Sequence, residues 1–191
     1  MYPLCSNIDD INQHYLKKLI KKGHPSQTYV RTISHNAPTQ WIHSQNIPEE
    51  VTLCVNAQVY VTHNLSPETG LVNGTRGILK EVHPTSVVLQ TLEGLCHTIG
   101  YHTLYHEDDK EVSIGFMPIR LAFALTIHKS QGMTLDAIEL DLGENIFEYG
   151  PAYTALSRAK SLSGIRIVDL NLKAFKTHGL VRHFYEELNV S

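Results

Sequence analysis

Near Leu53 the hydrophobic rhythm of the chain changes, and near Met117 it changes again. Between these points Val55, Ala57, Val59 and Val61 alternate with Asn56, Gln58, Tyr60 and Thr62, the period of two that a half-buried strand requires. The pairs Ser66-Pro67, Asn73-Gly74, His83-Pro84 and Glu93-Gly94 are turn signals that cut the rest into short runs. Short strands at this spacing predict a compact small β-barrel. After Met117 the pattern is that of an α/β fold. Leu121 to Ile127 is an apolar run bounded by a polar loop, as a buried parallel strand would be. Ile138 to Leu142 and Ile165 to Leu170 read as two more strands. Between them Gly150-Pro151 opens a helix running to about Lys160, with Pro151 suited to its first turn. Leu180, Val181, Phe184, Tyr185 and Leu188 space a final amphipathic helix. The prediction is a parallel sheet flanked by helices over residues 1–53 and 117–191, interrupted by an all-β insert over 54–116.

The first predicted element is a helix from about Asp9 to Lys22, with Ile8, Ile11, Tyr15, Leu16, Leu19 and Ile20 on one face. Asn7 suits its cap, Asp9 and Asp10 its first turn, Lys21 and Lys22 its last, and Gly23 with Pro25 stop it. The polar stretch holding Pro38 and Pro48 reads as irregular. No apolar run approaches the ~20 residues of a membrane helix, so no membrane partner is expected. Met1-Tyr2-Pro3-Leu4-Cys5 lacks the basic and apolar regions of a secretory signal. The three cysteines, Cys5, Cys54 and Cys96, are too scattered for a disulfide framework, and an intracellular location is expected, nucleus or cytoplasm left open. Formal charge is −3, from 16 Lys+Arg against 19 Asp+Glu. That sign excludes a surface that attracts nucleic acid throughout, so any such contact must be local.

Two stretches carry the chemistry. Thr126-Ile127-His128-Lys129-Ser130-Gln131-Gly132-Met133-Thr134-Leu135-Asp136 leaves an apolar run and turns polar at once, at the strand edge where open α/β sheets bind ligands. Thr126, Ser130 and backbone amides can bond phosphate oxygens, Lys129 adds a point charge, and Gly132 permits close approach. The competing reading is an ordinary polar loop. Gly150-Pro151-Ala152-Tyr153-Thr154-Ala155-Leu156-Ser157-Arg158-Ala159-Lys160 can pack Ala152, Ala155, Leu156 and Ala159 inward and leave Arg158 near the helix end. Taken alone, an arginine there reads first as a partner of the helix dipole.

Together the two stretches resemble motifs V and VI of superfamily 1B DNA helicases of the RecD and petite-integration-frequency (Pif) type. Ala57-Gln58-Val59-Tyr60-Val61-Thr62-His63-Asn64-Leu65 and Gly70-Leu71-Val72-Asn73-Gly74-Thr75-Arg76-Gly77 are similar to two further family segments, and Leu121-Ala122-Phe123-Ala124-Leu125 to the lead-in to motif V. Cys5, Asn7, Ile11 and Asn12 at the start and Phe184-Tyr185 at the end fit more loosely.

The resemblance implies a second RecA-like motor domain carrying an inserted small barrel. In such helicases ATP lies between two motor domains, and DNA runs across both, usually 5′ to 3′. The first domain supplies the phosphate loop and the Mg²⁺ ligands. No G-x-x-x-x-G-K-[ST] occurs here, so the chain is expected to hydrolyse nothing and bind no cofactor by itself. Glu107-Asp108-Asp109 reads as a solvated turn rather than an acidic motif. By the resemblance Arg158 is the arginine finger, Gln131 is catalytic, and Gln131 and Gly132 line the nucleotide edge with it. Thr126, His128, Lys129 and Ser130 hold single-stranded DNA, and Arg76 is a further DNA candidate. The N-terminal motor domain of the same protein is the expected partner. Pro151 stands where the family often has glutamine, which removes an amide and a backbone N–H. The alternative is a non-catalytic nucleic-acid-binding or regulatory module descended from a helicase. Which process the chain serves (replication, repair, recombination) is not written in the sequence. Twelve histidines, His97, His102 and His106 among them, match no compact zinc spacing, so no metal site is expected. Trp41, Tyr101 and Tyr105 read as packed rings before base-stacking ones.

Overall fold

The computed structural model describes residues 5–143, 146 and 149–188, without the side chains of 5–7, 182, 186 and 187. Two compact units form, one of residues 11–123 and one of 1–10 with 124–191. The fold is mixed α/β, as the pattern predicts.

The chain opens on α1 (Cys5–Lys21). It starts before Asn7, so that residue lies within the helix and not at its cap. Gly23 ends it in a left-handed conformation, with its N–H and that of His24 donating to the carbonyls of Ile20 and Leu19.

The stretch expected to be irregular instead holds β1 (Ser26–Val30), β2 (Thr32–Ile33) and α2 (Thr39–Ser44). Tertiary partners build them: β1 pairs antiparallel with β3 (Glu50–Cys54), and Tyr29 is buried with its hydroxyl donating to the carbonyls of His83 and Ser86 at 2.7 and 3.0 Å. Of the single strand predicted through Val55–Thr62 only β4 (Gln58–Val61) forms; the first part is a turn after β3, at Asn56, whose φ is +67°. Then come β5 (Arg76–Val82), β6 (Ser86–Thr91), β7 (Cys96–Gly100), β8 (His102–Tyr105), β9 (Ser113–Phe116) and β10 (Ile119–Leu121). The main antiparallel sheet has the order β10-β4-β5-β6-β7, and β2-β9-β8 forms a second. No hydrogen-bonded ring closes them among the described residues. Leu53, Val59, Val61, Leu79, Val87, Leu89 and Ile119 fill the core beneath the main sheet, while Ile47, Ile114 and Phe116 pack with Trp41 in a smaller cluster.

The predicted parallel strand Leu121–Ile127 does not form. Leu121 ends β10, which pairs antiparallel with β4, and Ala122 donates its N–H to the Gln58 carbonyl. Ala122, Ala124, Leu125 and Ile127 are buried without strand geometry, because an apolar run signals burial before it signals conformation. The other two predicted strands hold. β11 (Ile138–Leu142) and β12 (Ile165–Leu170) pair in parallel, Ile138 opposite Ile165 and Leu140 opposite Ile167. Between them α3 (Pro151–Leu156) is shorter than predicted and buries Ala152 and Ala155 in a core with Leu140 and Leu142. The last described element is α4 (Gly179–Leu188), whose Leu180, Phe184 and Leu188 are exposed.

Candidate functional site

The polar loop is a compact knot that begins where the apolar run ends. His128–Ser130 makes one 3₁₀ turn, with the Ser130 N–H donating to the carbonyls of Thr126 and Ile127 at 3.1 Å. The Thr126 hydroxyl accepts from the Lys129 N–H at 3.1 Å, and the Ser130 hydroxyl donates to the Ile127 carbonyl at 2.6 Å. Ser130 is 0% exposed and Thr126 7%. Both hydroxyls therefore face inward and shape the loop. His128, Lys129, Gln131 and Gly132 face outward. Gly132 has φ +79°, a left-handed conformation that costs glycine little and a side chain more.

Past Gly132 the loop is laced to the segment after α3. The Leu135 N–H donates to the Arg158 carbonyl at 2.8 Å, and the Lys160 N–H to the Leu135 carbonyl at 2.9 Å, so Leu135 bridges Ala159 in parallel. The Lys160–Asp136 ion pair at 3.3 Å is exposed and adds little. Gly164 completes the seam, since a Cβ there would strike the Asp136 carbonyl.

At this seam Arg158 is half-buried. Its Nε donates to the Thr154 carbonyl at 3.2 Å, Nη2 to the Ser157 hydroxyl at 3.1 Å, and Nη1 reaches the Met133 carbonyl at 3.5 Å, a weak bond. All three acceptors are neutral, and no carboxylate pairs with it among the described residues. The helix-end role read from the sequence is present, since Nε caps the Thr154 carbonyl in the last turn of α3, and the fork in addition reaches the loop at Met133. Ser157 was not singled out from the sequence, although its spacing of three from Thr154 on a helix predicts the carbonyl bond it makes at 2.9 Å.

Arg76 belongs to the unit of residues 11–123, at the first position of β5 and opposite Tyr60, which is itself opposite Arg120. The three share one face of the sheet, a juxtaposition set by strand register that local sequence does not encode. Burial pulls the Arg76 guanidinium below its ordinary pKa, and its Nε has no hydrogen-bond partner. Arg120 donates to the Asn46 carbonyl at 2.7 Å. His63 and His102 stand with ring centroids 5.5 Å apart, and burial lowers the pKa of both, helped at His63 by His102 and Arg120. Trp41 packs edge-on to His106, and Glu107, Asp108 and Asp109 form an exposed turn. Among the described residues no group of three or more His, Cys, Asp or Glu side chains is placed to hold a metal ion.

No family model matches the chain. Over 97% of its length it is 35% identical to the zebrafish (Danio rerio) ATP-dependent DNA helicase PIF1 and spans 30% of that protein. The solved structure of the Pif1 helicase from Candida albicans covers 98% of the chain at 27% identity, with a TM-score of 0.81, and the chain covers 48% of it. The chain belongs to the Pif1-type helicases of superfamily 1B. A Bacteroides Pif1 solved with ADP-AlF3 and single-stranded DNA shares the fold, with a TM-score of 0.78 at 24% identity, and the chain covers 45% of it. The likeness covers residues of both units.

Proposed function

We propose that this chain is the C-terminal motor half of an intracellular ATP-dependent DNA helicase that moves 5′ to 3′ along single-stranded DNA. Its motor portion, residues 1–53 and 117–191, carries residues 54–116 as an inserted module. One observation carries the reading: Arg158, whose guanidinium pairs with no carboxylate among the described residues, is tied through its main chain and a weak Nη1 bond to the loop that displays Lys129, Gln131 and Gly132.

In this reading Arg158, with Gln131 and Gly132 beside it, faces the phosphates of ATP held by the N-terminal motor domain of the same protein. ATP supplies the phosphoryl group whose transfer releases free energy, and Mg²⁺ is held by that other domain. Arg158 offers a planar, permanently charged fork to the negative charge that spreads over the transferring group, which a lysine does less well. Lys129 and His128 hold the DNA backbone, Thr126 and Ser130 fix the loop that presents them, and Arg76 meets the strand elsewhere. The backbone lacing at Leu135 joins finger and grip, so a pull on Arg158 is felt at Lys129.

In the full-length protein Arg158→Ala is expected to lower ATP turnover by about 10³ or more, with nucleotide binding retained. Single-turnover hydrolysis and binding of a fluorescent nucleotide test this. Unchanged turnover removes the finger assignment.

A further inference from the structure

We propose that Ser157 is the positioning residue that turns the Arg158 fork toward its ligand, an inference that rests on the reading of Arg158 as the finger. Of the three groups that hold the guanidinium among the described residues, two are main-chain carbonyls and one, the Ser157 hydroxyl, is a side chain. That hydroxyl is itself fixed, because it donates its single proton to the Thr154 carbonyl at 2.9 Å. Its lone pairs are left to accept, and Nη2 of Arg158 takes one of them at 3.1 Å. The same Thr154 carbonyl accepts from Nε at 3.2 Å. Serine, carbonyl and guanidinium thus close a small ring.

The ring selects an edge. Nε and Nη2 lie along one side of the planar group, and the ring engages that side, leaving Nη1 with one weak bond to the Met133 carbonyl. Each terminal nitrogen carries two N–H bonds, so both retain donors directed past the end of the fork. A phosphoryl group is best met there, by two parallel bonds. Without Ser157 the fork can rotate about its last torsions and present a single donor at an uncontrolled angle, which costs rate where stabilisation depends on preorganised geometry.

The test uses the full-length protein. Ser157→Ala is expected to lower kcat for ATP about 10-fold, with KM for ATP and affinity for single-stranded DNA unchanged within twofold. Ser157→Thr, which restores the hydroxyl, is expected to return kcat to within about twofold of the parent. In the Ser157→Ala/Arg158→Ala double variant the serine change should have no further effect, since it acts only through the arginine. Wild-type kcat in Ser157→Ala, an equal loss in Ser157→Thr, or additive losses in the double variant would each overturn the positioning role while leaving the finger intact. Wild-type kcat in Arg158→Ala would instead remove the finger reading, and this inference with it.

Discussion

Lys129 and Ser130 are neighbours with opposite prospects, and a pair of substitutions separates them. Lys129 is exposed on the loop; the Ser130 side chain is buried and bonded to the Ile127 carbonyl at 2.6 Å. A lysine on a backbone phosphate releases a counterion, so log K for a single strand falls with log salt by about 0.7 per contact. Between 50 and 200 mM salt that slope makes one contact responsible for about a 2.6-fold loss of affinity. Lys129→Ala in the full-length protein should weaken binding to oligo-dT and make it less steeply salt-dependent by this increment. Ser130→Ala removes one buried hydrogen bond, but the Ile127 carbonyl keeps the Ser130 N–H as donor at 3.1 Å, so no buried group is orphaned. The cost is therefore at the low end, about 1 kcal/mol of stability. Fluorescence anisotropy across a salt series reads the first effect, and urea unfolding of the isolated chain reads the second. A Ser130→Ala slope as shallow as that of Lys129→Ala would refute the division of the loop into an inner, shaping side and an outer, gripping side.

Two further outcomes follow from the unit of residues 11–123. Tyr29→Phe deprives the His83 carbonyl of its donor, while Ser86 keeps the His83 N–H, so urea unfolding should show a loss of about 1–2 kcal/mol at an unchanged m-value; a shift within error would mean the tie between β1 and the β5–β6 turn is ornamental. His63 and His102 are held below the ordinary histidine value of 6.5, so the unfolded chain takes up protons first on acidification: their stabilising contribution is present above pH about 6.5 and is lost as the pH falls through the depressed values. Thermal unfolding should therefore move to lower temperature from pH 7 to 5, less so in His102→Asn, and a variant as pH-sensitive as the parent would contradict this origin.

The sequence was most legible where chemistry and periodicity coincide. Ile138–Leu142 and Ile165–Leu170 are strands with the bounds read from the pattern, and Ala152 and Ala155 pack inward as their spacing requires. It was least legible where partners distant in sequence decide. Ser26–Val30 has no strong alternation, and becomes a strand because Glu50–Cys54 lies beside it. Leu121–Ile127 looks like a strand, yet its register on β4 ends after Leu121 and the rest is buried in bends. At the site the motif residues were visible, but not which way they face. Ser130 and Lys129 are equally polar in a sequence, and only the hydrogen bond of Ser130 to Ile127 sends one inward.

That inward turn bears on how the motor proposed above would transmit force. A loop that exposed every polar residue would be free to re-form around a DNA phosphate without moving anything else. Here Thr126 and Ser130 spend their hydroxyls on stiffening the turn, and Leu135 ties its far end to the backbone on both sides of Ala159. The loop is therefore a lever fixed at two points rather than a tether. The single link from guanidinium to loop, Nη1 to the Met133 carbonyl, is by contrast the longest bond of the seam at 3.5 Å. The Arg158 fork is held on its own side by the Thr154 carbonyl and the Ser157 hydroxyl, while two short backbone bonds at Leu135 lock its main chain to the loop. In the proposed motor, a displacement of this fixed fork by a phosphate contact would reach the loop through the main chain, since the direct guanidinium link at Met133 is the weakest of the set.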